Sequence, residues 1–542
     1  MKHPDPEEMD DGVLDHHGEA LPYLSKSAKN MKMDRLLSTP MPNFEGETPG
    51  SYFWTKVIYW ICKRISKIQF RSLEATGMEK IPLDRGSLCC AWHTNGLLDA
   101  LQITLNHPRY FVFGGRHDLV TRPILGWWTR RMAVQPVVRK AELLRGGCSE
   151  EEANFLNGRS LMTLASGISH GYGCVLFPEG TSHNNAYMLR FRTGPMRTVL
   201  AASALAKASG KQLPVLIPIG LHFRTREYFR TDVWVEFSEP IQVHADDVPD
   251  DLVNAVASGT WSEPPAEAVF KLRDNLREKL VPLTPNTHTW DEHRGLLLLG
   301  HIKGRLDKNP PKSWQNEVVY GRQFRDQYTT KPTTADNESL QPPKLTNPSL
   351  EKSEIAADIL HRNGLDGRDL NGDATKLSSP RIAKLPLALT RSSLFLALLP
   401  IFIISLLPQM VLGRVLGDST DEGIDARTSY QFLAAMFGSI IIWPISSTVI
   451  VALMYWQSGQ ISELIGIEWF ESFGSSSYSV VLAIIMTWFL MFPLSLLSGK
   501  LFSLVWDDFV DLRGLYRKQR MSASDKEELF KLIGELKQDL SS

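Results

Sequence analysis

The segment "CCAWHTNGLLDALQI", Cys89 to Ile103, sets a His and an Asp six residues apart in an otherwise apolar run. An imidazole paired with a carboxylate can act as a general base. The carboxylate fixes the ring's tautomer and stabilises the imidazolium, while the other ring nitrogen takes a proton from a hydroxyl. In a regular helix six residues turn through about 600°, so His93 and Asp99 would not share a face. The sequence supplies a break: "SLCCAW" reads as a buried strand ending at His93, "TNG" as a turn and "LLDALQITL" as a helix, so the carboxylate can reach the ring across the turn.

A second segment, "VLFPEGTSHN", Val175 to Asn184, is a strand that runs into a turn carrying Glu179 and Gly180. Backbone amides and a carboxylate at such a turn can hold a polyol or a developing oxyanion. Arg139 closes the strand "AVQPVVR", and Arg190 and Arg192 follow in "LRFRTG", so guanidinium groups are available for a phosphate.

The elements that must position these residues alternate. From Ser87 to Glu239, short apolar strands ("SLCCAW", "YFVFGG", "AVQPVV", "GCVLFPEG", "PVLIPIGLHF", "VWVEFSEPI") are separated by helical stretches. This predicts an α/β fold with a mainly parallel sheet and sites at the strand ends. Ahead of them, "TPGSYFWTKVIYWICKRISKIQFR" sets Trp54, Val57, Ile58, Ile61, Ile65 and Ile68 at helical spacing among Lys56, Lys63, Arg64, Lys67 and Arg71. Such a basic amphipathic helix suits an anionic bilayer surface and packing on the domain equally well.

Near the C-terminus the apolar residues gather into three runs without charge, Ser392–Gly413, Thr428–Ser462 and Ser472–Gly499. Each can cover the roughly 20 residues that a bilayer core requires. The second and third are apolar all round with aromatic residues near their ends and read as spans, whereas Pro400 and Pro408 divide the first into a bent or re-entrant piece. Lys and Arg flank the cluster on both sides and are missing from "QSGQISELIGIEWFESFG" between the last two runs. The positive-inside rule therefore sets both flanks in the cytoplasm and predicts two full crossings plus a non-crossing first run.

A chain of 542 residues exceeds one hydrophobic core. The expected organisation is a disordered tail over 1–50, a catalytic domain over 51–307 and a polar linker over 308–383, where Pro, Asn and Thr abound. A membrane region of two to three helices over 384–510 and a cytoplasmic helical tail over 511–542 complete it. A net charge of −1 excludes a phosphate-backbone binder, so no nucleic-acid partner is expected. The five cysteines, Cys62, Cys89, Cys90, Cys148 and Cys174, lack paired metal spacing and read as free thiols. His16 and His17 could bind a metal only with help from elsewhere.

Four blocks in order, "WHTNGLLD", "QPVVR", "FPEGTSHN" and "VLIPIGLHF", resemble the phospholipid/glycerol acyltransferases. The closer similarity is to the fungal-type glycerol-3-phosphate and dihydroxyacetone-phosphate acyltransferases, which also widen the His–Asp spacing by one residue and carry C-terminal membrane spans. It covers roughly Ser51 to Lys308 and the tail more loosely. The resemblance implies an α/β acyltransferase domain, mainly parallel sheet flanked by helices, with a C-terminal helical membrane anchor. It implies direct transfer from an acyl thioester to glycerol 3-phosphate or dihydroxyacetone phosphate in phospholipid biosynthesis, with His93 as base and Asp99 orienting it. Arg139, Glu179, Gly180, Thr181 and Arg192 would bind the glycerol phosphate, and Pro218 would shape the pocket or acyl channel. No metal or resident cofactor is implied; acyl-CoA or acyl carrier protein is the co-substrate and the bilayer a partner. The catalytic domain would face the cytoplasm from a bacterial inner membrane or the endoplasmic reticulum. Two departures stand out: Ser182 and His183 occupy the place of an Arg in the commoner box, and Thr94 and Asn95 replace the small residues usual after the His.

Three other readings compete. A lysophospholipid acyltransferase, acting on 1-acyl-glycerol 3-phosphate, would use the same blocks. "GISHG", Gly167 to Gly171, fits a G-x-S-x-G nucleophile elbow with Ser169 as nucleophile, but the elbow needs strand then helix, and here "GRSLMTLAS" reads as a helix and "GCVLFPEG" as a strand. A non-catalytic membrane scaffold would not need His93.

Overall fold

The computed structural model describes residues 31–329, 341–379, 384–419, 424–457 and 477–541. His16, His17, Arg381 and most of the acidic segment between the last two apolar runs lie outside them. In chain order the elements are α1 (Met33–Leu37), α2 (Tyr52–Gln69), β1 (Phe70–Thr76), β2 (Ser87–Ala91), α3 (Leu97–Asn106), β3 (Phe111–Arg116), α4 (His117–Thr121), α5 (Pro123–Arg131), β4 (Gln135–Val137), α6 (Lys140–Leu144), α7 (Glu150–Ser169), β5 (Gly173–Val175) and α8 (Gly194–Ala208). There follow β6 (Val215–Phe223), β7 (Thr231–Phe237), β8 (Ile241–Gln242), α9 (Asp250–Ala257), α10 (Ala266–Leu280), α11 (Trp290–Leu306), α12 (Trp314–Tyr328) and α13 (Pro348–Arg362). The chain ends with α14 (Leu385–Ala397), α15 (Leu407–Asp418), α16 (Ile424–Trp456), α17 (Ser477–Arg520) and α18 (Ala523–Ser541).

The strands form one sheet in the order β1-β7-β6-β2-β5-β3-β4, with β8 beside β6. Every pairing is parallel except β6 with β7 and β6 with β8. Both faces are covered, as an α/β sheet requires. The pleat sends Leu88 and Cys90 of β2 into a core with Leu164 and Ile168 of α7 and Val199 and Leu200 of α8. It sends Cys89 and Ala91 to the other face, against Ile58 and Cys62 of α2, Leu98 and Ile103 of α3 and Phe432 and Met436 of α16. The expected α/β class and the six expected strands are present. The helix at 52–69 passes straight into β1, a strand that its uninterrupted pattern concealed. Four of the cysteines are buried and all five are free; burial pushes the Cys62 thiol up to about 12.

Two boundaries differ from expectation. Residues 31–50 belong to the domain: Leu36 is fully buried, and the Phe44 ring stacks on His170 with centroids 5.2 Å apart. Residues 308–383, expected as a linker, hold α12 and α13. Their Pro, Asn and Ser are helix-start signals: Ser313 accepts from the Asn316 amide, and Asn347 accepts from the amides of Ser349 and Leu350. Leu350, Ala356, Ile359 and Leu360 of α13 pack with Leu296, Leu299 and Ile302 of α11 and with Leu529, Ile533 and Leu536 of α18. The apolar face of α13 finds its partner about 180 residues away in sequence, and α11 belongs with this helical unit as much as with the sheet.

Three helices, Leu399–Asp418, Arg427–Met454 and Tyr478–Arg520, are long and apolar enough to cross a membrane. In the first, Pro400 and Pro408 each sit at a helix start, with a π-helical turn at Phe402–Leu406 between them. The 44 residues of α17 extend about 66 Å, twice a bilayer core. Its second half returns to the sheet domain: Asp507 takes the Arg230 guanidinium at 3.0 and 2.6 Å, and Asp511 lies 3.2 Å from Arg71. Helix α2 is held between the domain and these helices, its Trp60 stacked on Phe492 of α17 at 5.6 Å.

Candidate active site

The parallel sheet brings the two motif turns together. Cys89 of β2 pairs with Val175 of β5, and His93 and Glu179 each lie four residues further along, so both turns leave the same edge of the sheet. Between β2 and α3 the chain reverses at Gly96, whose φ of 51° and ψ of −128° no side-chain-bearing residue adopts readily.

Asp99, in the first turn of α3, is fully buried. Its Oδ2 accepts from His93 Nδ1 at 2.9 Å and from the backbone amides of Thr94 and Asn95 at 2.7 Å each. Donation to Asp99 assigns the proton to Nδ1 and leaves Nε2 as the basic nitrogen. The His93 side chain keeps 16% exposure. Phe177 stacks on the ring at 3.8 Å and an interplanar angle of 8°, so its rotation is blocked.

Glu179 joins the two turns. Its Oε2 accepts from the His93 amide at 3.0 Å, and its Oε1 accepts from the Leu189 amide at 2.7 Å and lies 2.7 Å from His183 Nε2. The His183 amide in turn donates to the His93 carbonyl at 3.1 Å. The carboxylate expected to bind substrate is thus engaged by three groups of the protein. Gly180 has a φ of 74°, and a Cβ there would meet Arg192 Cγ at 3.4 Å. Thr181 Oγ1 donates to the Ser182 carbonyl at 3.3 Å, and the Arg192 amide donates to the Pro178 carbonyl at 2.6 Å. Arg192 therefore lies along the Glu179–Gly180 turn.

Arg139 follows β4, three strands from β2 and so about 14 Å across the sheet. It caps α6, its Nε donating to Glu142 Oε1 at 2.7 Å. Pro218 pairs with Cys90 inside the sheet, and its carbonyl accepts from the Ser238 amide at 3.0 Å. Its missing N–H faces the gap between the β8 pairing at 215–216 and the β7 pairing at 219–223, where no ladder bond is due. It is a buried sheet residue next to β2. Ser169 ends α7 ahead of β5, at the opposite edge of the sheet, with its Oγ donating to the Ser166 carbonyl at 2.8 Å. The helix-then-strand order rules out the nucleophile elbow.

Several residues at the site were not anticipated. Arg226, in the β6–β7 loop, donates to the Thr94 carbonyl at 2.7 Å and the His183 carbonyl at 3.2 Å. The run "FRTREYFR" between two strands was the available signal. Thr428 and Ser429 of α16 reach the His93–Asp99 turn, and no local pattern announces them.

With this geometry in hand, residues 72–221 match the family model described as Acyltransferase. Over 151 residues the chain is 28% identical to "Glycerol-3-phosphate O-acyltransferase 2" of Saccharomyces cerevisiae, taking in 28% of this chain and 19% of that protein. The chain thus spans about a fifth of the length of the curated relative it matches. A crystal structure of the 1-acyl-sn-glycerophosphate (LPA) acyltransferase PlsC from Thermotoga maritima aligns at 17% identity with a TM-score of 0.26, over 40% of this chain and 79% of that one.

Proposed function

We propose that this chain, whose residues 72–221 match the acyltransferase family model, moves an acyl chain from an acyl thioester to a hydroxyl of glycerol 3-phosphate or dihydroxyacetone phosphate at a membrane. The observation that carries this reading is the His93–Asp99 pair, with Nδ1 held by a buried carboxylate at 2.9 Å and the ring clamped by Phe177. Nε2 removes the acceptor hydroxyl's proton as its oxygen bonds to the thioester carbonyl carbon. Collapse of the tetrahedral intermediate breaks the carbon–sulfur bond, and the departing thiolate takes the proton from Nε2. An ester and a free thiol leave, and the base is restored. Asp99 keeps the Nδ1 proton throughout and stabilises the imidazolium.

The backbone of Gly180 and Thr181 and the Arg192 guanidinium form the acceptor side in this reading, with Arg139 further along the same strand-end edge. Glu179 fixes the His93 backbone, and Pro218 backs β2. The chemistry needs no metal or resident cofactor, and holding both substrates together supplies much of the acceleration. The Lys and Arg flanking the apolar helices favour a cytoplasmic catalytic domain. The test is to offer purified protein labelled acyl-CoA with glycerol 3-phosphate, dihydroxyacetone phosphate or 1-acyl-glycerol 3-phosphate in parallel. Preferred acylation of either of the first two is expected; preference for the third would move the assignment to a lysophospholipid acyltransferase, and acylation of none would end it.

A further inference from the structure

Helix α3 begins without a local cap. Its N-cap is Gly96, which has no side chain to accept from the first amides, and no side-chain cap bond is made there. Two of the turn's amides, on Thr94 and Asn95, are taken by Asp99. The Leu97 amide is taken by a residue 332 positions away: it donates to Ser429 Oγ at 3.0 Å. Next to it, Thr428 Oγ1 donates to Asn95 Oδ1 at 2.6 Å. Both α16 residues are buried, at 1% and 7% exposure.

The start of α16 is itself fixed. Tyr430 lies under Arg122, whose guanidinium is 6.0 Å from the ring centroid, and Phe432 and Met436 enter the core between the sheet, α2 and α3. The hydroxyls of Thr428 and Ser429 therefore sit on a rigid support. They hold the backbone from which Asp99 takes two of its three hydrogen bonds, and Asp99 holds His93. A displacement of Asn95 or Leu97 shifts the carboxylate and, through it, the general base. The Asn95 side chain is the handle for Thr428.

We propose that Thr428 and Ser429 are positioning residues of the active site, so that the His93–Asp99 pair is aligned only while the apolar helix α16 is seated on the α/β domain. Seating of that helix on the domain and catalytic competence are then one event. The inference rests on the acyl-transfer reading for its kinetic readout, and a second readout stands apart from it.

The experiment uses the full-length protein in detergent and in phospholipid vesicles. Thr428→Val removes the hydroxyl at constant shape, Ser429→Ala removes the distal cap, and Thr428→Ser restores the donor. Thr428→Val and Ser429→Ala are expected to lower kcat by about ten- to hundredfold with KM for both substrates unchanged. Thr428→Ser should return to near wild type. Independently of turnover, the rate of diethyl pyrocarbonate modification at His93, read by peptide mass spectrometry against exposed His244, should change several-fold in Thr428→Val and not in Thr428→Ser. Wild-type kcat in both variants, or a loss matching only the folded fraction with His93 modification unaltered, overturns the proposal. If the wild type acylates no acceptor but His93 modification still responds to Thr428→Val, positioning stands and the acyl-transfer reading falls. Should Thr428→Val fail to fold, Ser429→Ala decides by the same two measurements.

Discussion

The turn after β2 and the junction of the helical unit with the sheet both bury charge, yet they answer it differently. Where the helical unit meets the ends of β6 and β7, Arg224 binds Glu317 at 2.7 Å and Asp232 at 2.8 Å, and His301 lies 3.1 Å from Glu317. Each of these groups is met by an opposite charge, so the network is closed. At the strand end, Asp99 is equally buried, but its partner His93 spends only Nδ1 on the protein and turns a second, basic nitrogen to a partly exposed edge. Burial of a charge does not by itself mark chemistry. A buried charge that orients a group with one reactive atom left over does.

The sharpest way to break this comparison is to remove the base. His93→Ala should reduce acyl transfer by about a thousandfold or more while the melting temperature changes little, because the ring is partly exposed and its hydrogen-bond partner Asp99 keeps two amides. Steady-state kinetics beside a thermal melt checks both halves. Glu317→Ala should do the reverse. It takes the carboxylate from buried His301 and leaves Arg224 with Asp232 alone, so the helical unit should lose about 3–5 kcal/mol, read as a lower melting temperature or denaturant midpoint, while kcat per folded molecule is kept.

A finer test is the acid limb of stability. Burial pushes the Glu317 carboxyl up, but hydrogen bonds from His301 and Arg224 outweigh it and hold the group at about 2, below its ordinary 4.5. A carboxyl whose folded pKa is depressed contributes stability above its unfolded pKa and loses it as the pH falls through the folded one. The wild type should therefore lose stability between pH 4.5 and about 2, and Glu317→Gln should show a shallower slope across that window in pH-dependent melts. The smallest effect belongs to Ser169→Ala. Its hydroxyl serves a helix-end carbonyl on the far edge of the sheet, so acyl transfer should stay at the wild-type rate; a large loss would return the hydrolase reading.

Local chemistry made part of this molecule readable. The apolar run of β2, the "TNG" break and the polar residues on either side specify a strand, a turn and a helix within 15 residues, and the His–Asp geometry follows from them. Strand β1 was hidden because nothing between Gln69 and Phe70 breaks the pattern; its strand state comes from pairing with β7, with Phe70 opposite Thr231. The helices at 314–328 and 348–362 were hidden for a related reason. Their Pro and Asn are locally ambiguous between linker and helix start, and only distant partners resolve it: Trp234 of β7 and Leu297 of α11 for the first, the apolar residues at 521–536 for the second.

The sequence alone determined which residues could exchange protons and that long apolar helices lie in the C-terminal third of the chain, because both depend on residue type over a few turns of backbone. The tertiary structure decided what surrounds the pair. Glu179 grips the His93 amide, Arg226 the Thr94 carbonyl, and Thr428 and Ser429 the turn before α3. Those contacts join segments up to 333 residues apart. They arise from strand order and from the seating of α16, neither of which leaves a periodicity in the chain.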